Sequence, residues 1–362
     1  MKKSISLLLA AVMVFALAAI ACADATTVTA WISDGAETVI YTSMFDDFNS
    51  KHDDIQVDYQ FFAQDELLNK LQTAPIVGDT PDLIVIDGLQ IPYFQDLGMI
   101  ACLDNYIDED MKNDVLPSVW SEVTYDGGLY GVAQFDSGMA MWTRKSILEK
   151  IGARIPTSYK DAWTVEEFED ILAKCKEIGY EYPLYIRQNK TSSLYFTWMA
   201  VIASFGGDYL NRDTMLATGT MDGENTVAAY DWMKKMLEGY VNAACDYEDA
   251  FYGRDEAAFS MLGHWKYSQH VEAFGDDAII VPLPDFGNGV FTCSGSTVDV
   301  MTTAAVDRGV ADQAWTVLQA MMSPEYIQMV CNVNGGVPAR KSVMDGMEQW
   351  QEGGRLYLYR EQ

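Results

Sequence analysis

The chain has 362 residues, 49% of them apolar and 12% aromatic, and a formal net charge of −29. That length exceeds one ordinary core and predicts two domains. The acidic balance excludes nucleic acid as a partner class, since that binding depends on Lys and Arg neutralising phosphates, and it disfavours adsorption on anionic lipid.

Lys2 and Lys3 precede an apolar run from Leu7 to Ile20 and the small residues Ala21, Cys22 and Ala23. This pattern predicts a secretory signal peptide over residues 1–23, cleaved after Ala23. The run is too short and too closely followed by small residues for a transmembrane anchor. Lipid attachment at Cys22 is the alternative. Five cysteines then remain: Cys102, Cys175, Cys245, Cys293 and Cys331. An odd number at wide spacing, with no C-x-x-C, argues against a metal site or a dense disulfide framework and makes free thiols the default.

Beyond that segment, Val28–Ile32 alternates as a strand ended by Ser33-Asp34-Gly35. Tyr41, Met44, Phe45 and Phe48 then fall at helical spacing on one face. Ile55, Val57, Tyr59 and Phe61 alternate with polar residues as a half-exposed strand, and a second helix from about Asp65 carries Leu67, Leu68 and Leu71. Leu83–Ile86 is a continuous apolar run of the kind found in a parallel sheet covered on both faces. This βαβαβ opening predicts an open α/β sheet, whose ligands sit beyond the carboxyl ends of the strands. Ser33, Asp34, Gln64 and Asp87 occupy those positions. Each alone is an ordinary turn or cap residue; together they make a cleft wall.

From Val123 to Arg144 the sequence is VTYDGGLYGVAQFDSGMAMWTR. Its first half predicts a hairpin turning at Asp126-Gly127-Gly128. Its second half places a lone acid, Asp136, between two strand-like segments. On pattern alone this is either a surface loop or a crossing between two lobes. Thr164 and Glu167 form a capping box that opens a helix with Phe168, Ile171, Leu172 and Cys175 as its buried stripe. Tyr195–Trp198 introduces another helix. Residues 251–265 predict a helix leading into a strand at 259–262, Ala278–Val281 and Thr297–Thr302 predict strands, and Ala314, Val317, Leu318 and Met321 mark a late helix. Gly335–Pro338 is expected to be a loop.

Catalytic and metal patterns are sparse. The three histidines show no H-E-x-x-H spacing, and there is neither a G-x-S-x-G elbow nor a Walker loop. Asp104–Asp110 is acidic but lacks the glycine and spaced ligands of a calcium loop, so it is expected to be a helix cap. No metal or cofactor is expected. An Asp/Glu pair suited to glycoside hydrolysis remains open, because pairing in space is not legible in a linear sequence. Trp31, Tyr195, Trp198 and Trp265 stand next to polar positions at element ends. Such residues are more often core, yet aromatic faces beside Asp, Asn and Gln are what a sugar ring needs.

These segments, in order, resemble the extracellular solute-binding proteins of the maltose-binding, sugar-importer type. The resemblance rests on VTAWIS, FDDFNSKHDDIQVDYQ, GDTPDLIVID, YDGGLYGVAQFDSGMAMWTRKSILEKIG, GRDEAAFSMLGHW and GGVPAR. It departs from the family at Ala133, where Pro is usual, and at Trp142-Thr143, where Tyr-Asn is usual. Family members usually continue for several tens of residues through closing helices of the second lobe, whereas this chain stops at Gln362, so the resemblance implies a truncated C-terminal part of that lobe.

The resemblance implies an α/β, two-lobe periplasmic-binding-protein type II fold with a multi-strand hinge. Residues 24–133 plus about 290–335 would form the first lobe, and about 134–289 plus about 336–362 the second. It implies a non-enzymatic, monomeric receptor outside the cytoplasmic membrane that binds a carbohydrate between the lobes and delivers it to the permease subunits of an ABC importer. The expected ligand contacts are Ser33, Asp34, Gln64, Asp87, Gln90, Asp136, Tyr195, Trp198, Trp265 and Arg340. The alternatives are a secreted carbohydrate-active enzyme using an acid pair, or the same fold binding a polyamine or a polyol phosphate.

Overall fold

The structure, a computed structural model, describes residues 25–35, 37–187 and 191–361, excluding the side chains of 191–195. The signal peptide and Cys22 lie outside the described residues. The first lobe opens with β1 (Thr26–Ser33), α1 (Thr38–Lys51), β2 (Ile55–Phe62), α2 (Gln64–Val77) and β3 (Leu83–Asp87). Strand β1 pairs in parallel with β2 on one side and β3 on the other. Helix α1 buries Tyr41, Met44, Phe45 and Phe48, the face its spacing predicts.

Helix α3 (Pro117–Val123) and the hairpin β4 (Thr124–Tyr125) and β5 (Gly128–Leu129) follow. Val123 thus ends a helix rather than opening a strand. Asp126 (φ 47°) and Gly127 (φ 80°) make the turn. The chain then passes through β6 (Phe135–Asp136) into β7 (Met141–Arg144), the first strand of a second sheet. Thr164 Oγ1 accepts the Glu167 N–H at 3.3 Å while Glu167 accepts the Thr164 N–H at 2.9 Å, so the expected capping box opens α4 (Val165–Glu177).

The second sheet adds β8 (Leu184–Tyr185), β9 (Phe259–Ser260) and β10 (Ala278–Val281), in the order β10–β7–β9–β8. Helix α5 (Thr191–Ser204) lies between β8 and β9 in sequence. Residues 251–258 form no helix, contrary to expectation. The N–H groups of Gly253 and Arg254 close one turn on the Asp249 carbonyl, and Asp255, at φ 54°, breaks it. After β9 and α6 (Tyr267–Phe274), the chain returns to the first sheet as β11 (Thr297–Met301), antiparallel to β3, giving the order β11–β3–β1–β2. Helices α7 (Ala311–Met321) and α8 (Pro324–Asn334) and strand β12 (Val337–Pro338) complete the frame. β12 replaces the expected loop because it pairs antiparallel with β6, Val337 opposite Asp136.

Residues 336–362, expected in the second lobe, divide between the two. Arg340 and Ser342 bond to Asp114 and Lys341 to the Asn113 carbonyl, while Arg355 meets Asp276 and Glu361 accepts from Ser158. The five described cysteines are free thiols, with Cys102 exposed. Asp108, within the acidic run, caps a short helix by accepting the Met111 N–H at 2.7 Å.

One buried acid fastens the first sheet. Asp82, fully buried, accepts from the Thr29 N–H at 2.8 Å, the Thr29 hydroxyl at 2.9 Å and Arg308 Nη1 at 2.7 Å through a single oxygen. Asp82→Ala orphans a buried backbone N–H and is expected to cost about 3 kcal/mol in urea denaturation. Arg308→Ala, at a half-exposed partner, should cost under about 1 kcal/mol. Equal losses in the two variants would mean that the ion pair, not the Thr29 bonds, does the fastening.

Candidate functional site

The carboxyl ends of β1 and β3 and the start of α2 open on one side of the first sheet. Gln64 Nε2 donates to Asp87 Oδ2, so two expected residues from successive βα connections meet there. Asp87 is half-buried; burial pushes its carboxyl up to about 6, the Gln64 amide offsets part of this, and the Glu37 carboxylate adds repulsion. Ser33 is half-buried beside this pair in sequence order, and Gln90 ends a single 3₁₀ turn, Gly88–Gln90, after β3. Asp34 is exposed and its Oδ1 accepts the Thr38 hydroxyl at 2.6 Å, which ties it to the first residue of α1. The four acids and amides therefore separate into a joined pair, Gln64–Asp87, and flanking groups.

Three chain crossings form the cleft floor. β6 and β12 lie side by side, and residues 290–296 return beside them. Met139 N–H donates to Thr292 Oγ1 at 2.7 Å, and that hydroxyl donates back to the Met139 carbonyl at 3.1 Å. Asp136 is 7% exposed, and its Oδ1 accepts the N–H groups of Ser137 at 2.8 Å and Gly295 at 3.3 Å. Its place at the crossing matches the sequence reading; its carboxylate, however, is already bonded to two backbone donors.

Glu122, on α3, was not among the expected residues. Its two oxygens accept the Ser296 N–H at 2.8 and 3.1 Å. The side chain lies directly over Gly88, where a Cβ would fall 2.1 Å from Oε1, so only glycine admits it. Burial pushes Glu122 up to about 8; the Ser296 N–H opposes that rise, and the Asp136 and Asp87 carboxylates add to it. A sequence signal existed only in retrospect: an acid inside the apolar face of a short helix next to the hairpin.

A third network joins the lobes through α8. Asn334 donates from Nδ2 to Glu37 at 2.9 Å, accepts the Gly336 N–H at 2.8 Å, and offers its carbonyl to His264 Nδ1 at 2.9 Å. Because a carbonyl can only accept, His264 carries its proton on Nδ1. Burial holds this imidazole neutral, down to about 4.

The second lobe contributes a further group near the hinge. Trp265 is half-exposed, packs tilted against Phe196 at 6.1 Å, and its ring covers Gly263, whose Cβ would meet it at 2.0 Å. Gly263 bridges to Met139, which fixes this group at the hinge end of the second sheet. Beside it, Glu248 pairs with Lys266 at 2.8 Å and with Arg187. Burial raises this carboxyl, but the two cations hold it below its usual value.

Two expected contacts are corrected. Trp198 is 4% exposed and packs edge-on against Trp232 inside the second core; α5 is apolar on most sides, and this position faces inward. Arg340 is committed to Asp114 at 2.7 Å and to the Met322 carbonyl at 3.2 Å, which leaves it a structural role. The Tyr195 side chain lies outside the described residues.

Residues 43–356 match the family described as bacterial extracellular solute-binding protein. The chain belongs to this family. It is 27% identical over 194 residues to a putative binding protein of Brucella abortus, a match that covers 53% of this chain and 44% of that protein, so the chain spans less than half the length of that relative. It is 25% identical over 297 residues to a probable sugar-binding periplasmic protein of Rhizobium meliloti, across 77% of this chain and 67% of that one. The maltose-bound MalE3 of T. maritima has the same fold, with a TM-score of 0.78 at 19% identity over 92% of this chain and 88% of that chain. The expected two-lobe α/β architecture is thereby established. Among the described residues no helix is long and apolar enough to cross a membrane, and no cluster of three or more His, Cys, Asp or Glu is arranged to hold a metal ion.

A carboxyl whose pKa rises on folding stabilises the protein fully only below its unfolded value, and that contribution is lost as pH climbs through the folded one. For Glu122 the window runs from the ordinary carboxyl range to about 8. Glu122→Gln keeps an acceptor for the Ser296 N–H. It should leave the melting temperature nearly unchanged at about pH 5 and raise it by roughly 3 °C or more at about pH 8.5. Equal destabilisation at both pH values would mean that the carboxylate is held ionised by its N–H partner.

Proposed function

We propose that this chain is the extracytoplasmic substrate-binding protein of an ABC importer, and that it takes a carbohydrate into the interlobe cleft and delivers it to membrane permease subunits. What supports this reading is the hydrogen-bonded Gln64–Asp87 pair on the first lobe and the half-exposed indole of Trp265 on the second, joined by a three-crossing hinge. We read the two as the walls of the cleft. A sugar ring presents hydroxyls to the first and apolar C–H faces to the second. The named relative in Rhizobium meliloti and the maltose-bound neighbour support the same ligand class.

The receptor works as a monomer outside the cytoplasmic membrane, without a cofactor and without turning over its ligand. Ser33 and Gln90 flank the hydrogen-bonding wall and contribute secondary contacts. Asp136 acts first as the hinge anchor, and Tyr195 lies one residue before Phe196, the partner of Trp265.

A thermal-shift screen of saccharides, with putrescine and glycerol phosphate as further arms, tests this reading. A saccharide at a hundred times its dissociation constant should add about 2.7 kcal/mol of stability. Trp265→Ala should weaken that saccharide about tenfold or more while preserving the fold. A response to putrescine or glycerol phosphate alone would remove the sugar assignment, and the appearance of shortened oligosaccharides would replace a receptor with a hydrolase.

A further inference from the structure

A second cavity, of about 740 Å³, opens in the second lobe. Strand β7 runs from the hinge at Met139 out to Arg144, and β9 runs back beside it with Phe259 opposite Thr143. β8 is parallel to β9, with Leu184 opposite Phe259. This register brings Arg144, Tyr182 and Ala257 together at the end of the sheet remote from the hinge, and all three line the cavity. Gly263, bridged to Met139, marks the opposite end, Gln64 and Asp87 belong to the other lobe, and Trp265 packs from behind on the buried cluster of Tyr185, Cys245, Ala250 and Ala257. The cavity is therefore separate from the interlobe cleft, and its size is that of a small-molecule site.

Its lining is organised by aromatic–carboxylate pairs. Tyr180 donates to Asp255 at 2.9 Å, and the Arg144 guanidinium bonds to both while lying over the Phe274 ring at 4.7 Å. Tyr247 donates to Glu256, and the Arg254 guanidinium covers its ring at 3.9 Å. Tyr182, half-buried, and the core tyrosine Tyr185 also line the cavity. Asp255 holds its place with a left-handed backbone, φ 54°, a conformation that non-glycine residues keep chiefly where the surroundings demand it.

The charges choose the ligand. Glu181, Asp255 and Glu256 outnumber Arg144 and Lys150 at the lining, and Arg144 is already neutralised by Asp255. With Asp255 paired to Arg144, Lys150 offsets one of the two remaining acids, so neither an anion nor a cation meets a strong attractive field there. Phenol faces with carboxylates beside them suit an uncharged ring that carries hydroxyls. We infer that this distal cavity is a second saccharide site, built on Tyr180, Tyr182, Tyr247 and Asp255 and independent of the interlobe cleft.

The full chain labelled with ¹³C in its tyrosine rings tests the inference, with maltotriose, cellotriose, xylotriose and chitotriose each titrated to about 50 mM, a range that reaches millimolar dissociation constants. At least one of the four should shift the Tyr180, Tyr182 and Tyr247 ring signals along one saturable isotherm. Gln64→Ala, on the other lobe, should leave that isotherm unchanged, whatever it does to binding in the cleft. Tyr182→Ala and Asp255→Gly should each weaken it tenfold or more; glycine keeps the left-handed backbone without steric cost. Silence of the three rings towards all four saccharides would overturn the inference. So would an isotherm lost in Gln64→Ala, or one untouched by both Tyr182→Ala and Asp255→Gly in folded protein.

Discussion

Two carboxylates hold the backbone of the third crossing, and the relation between the lobes depends on them. Asp136, from the first crossing, takes the Gly295 N–H, and Glu122, from a first-lobe helix, takes the Ser296 N–H. Each bond ties a different element to the returning chain, so the three crossings are fixed at backbone atoms as well as by the buried Val132, Ala133, Phe135 and Ala140. The cost is that two acids lie close together, largely out of water. That is why Glu122 is pushed up and why its neighbours add to the shift.

The chain's few cations explain why this floor stays acidic. With 24 Lys and Arg against 53 Asp and Glu, each basic side chain has a choice of partners. Arg308 goes to Asp82 beneath the first sheet, Arg340 to Asp114, and Arg187 and Lys266 to Glu248. These pairs stiffen the ground around the cleft. They leave Asp87 and Glu122 to be stabilised by an amide and a backbone N–H instead. A buried acid of this kind shifts its charge state with pH more readily than one clamped by arginine.

Much of the frame was legible because it obeys two simple periods. β1, α1, β2 and β3 follow from alternation and from the spacing of Tyr41, Met44, Phe45 and Phe48, and the Thr164–Glu167 box is local by nature. The segment around Asp136 was legible as a crossing once α/β elements stood on both sides. Glu122 was not, since its role is defined by Gly88 and by Ser296, 174 residues away. Trp198 and Trp265 look alike in sequence, each an aromatic at an element end. Rotation about the axis of α5 turns the first into the core, whereas Gly263 lets the second lie flat at the hinge. Arg340 lost its ligand role to Asp114, a partner that no local pattern names.

The chemistry of the two walls bears on what kind of solute the proposed receptor can hold across conditions. Asp87, at about 6, changes charge within the ordinary range of external pH, and a cationic ligand would lose its attraction once that carboxyl is protonated. A hydroxyl behaves differently: it donates to a carboxylate and accepts from a carboxylic acid. Trp265 adds a contact that does not depend on charge at all. On the proposed reading, a ligand bridging Asp87 and Trp265 would gain both contacts only when the lobes approach, and that difference in affinity would shift the population toward a closed form. On that reading an uncharged polyol would favour closure whichever way Asp87 is protonated, and a cation at the same two residues would not.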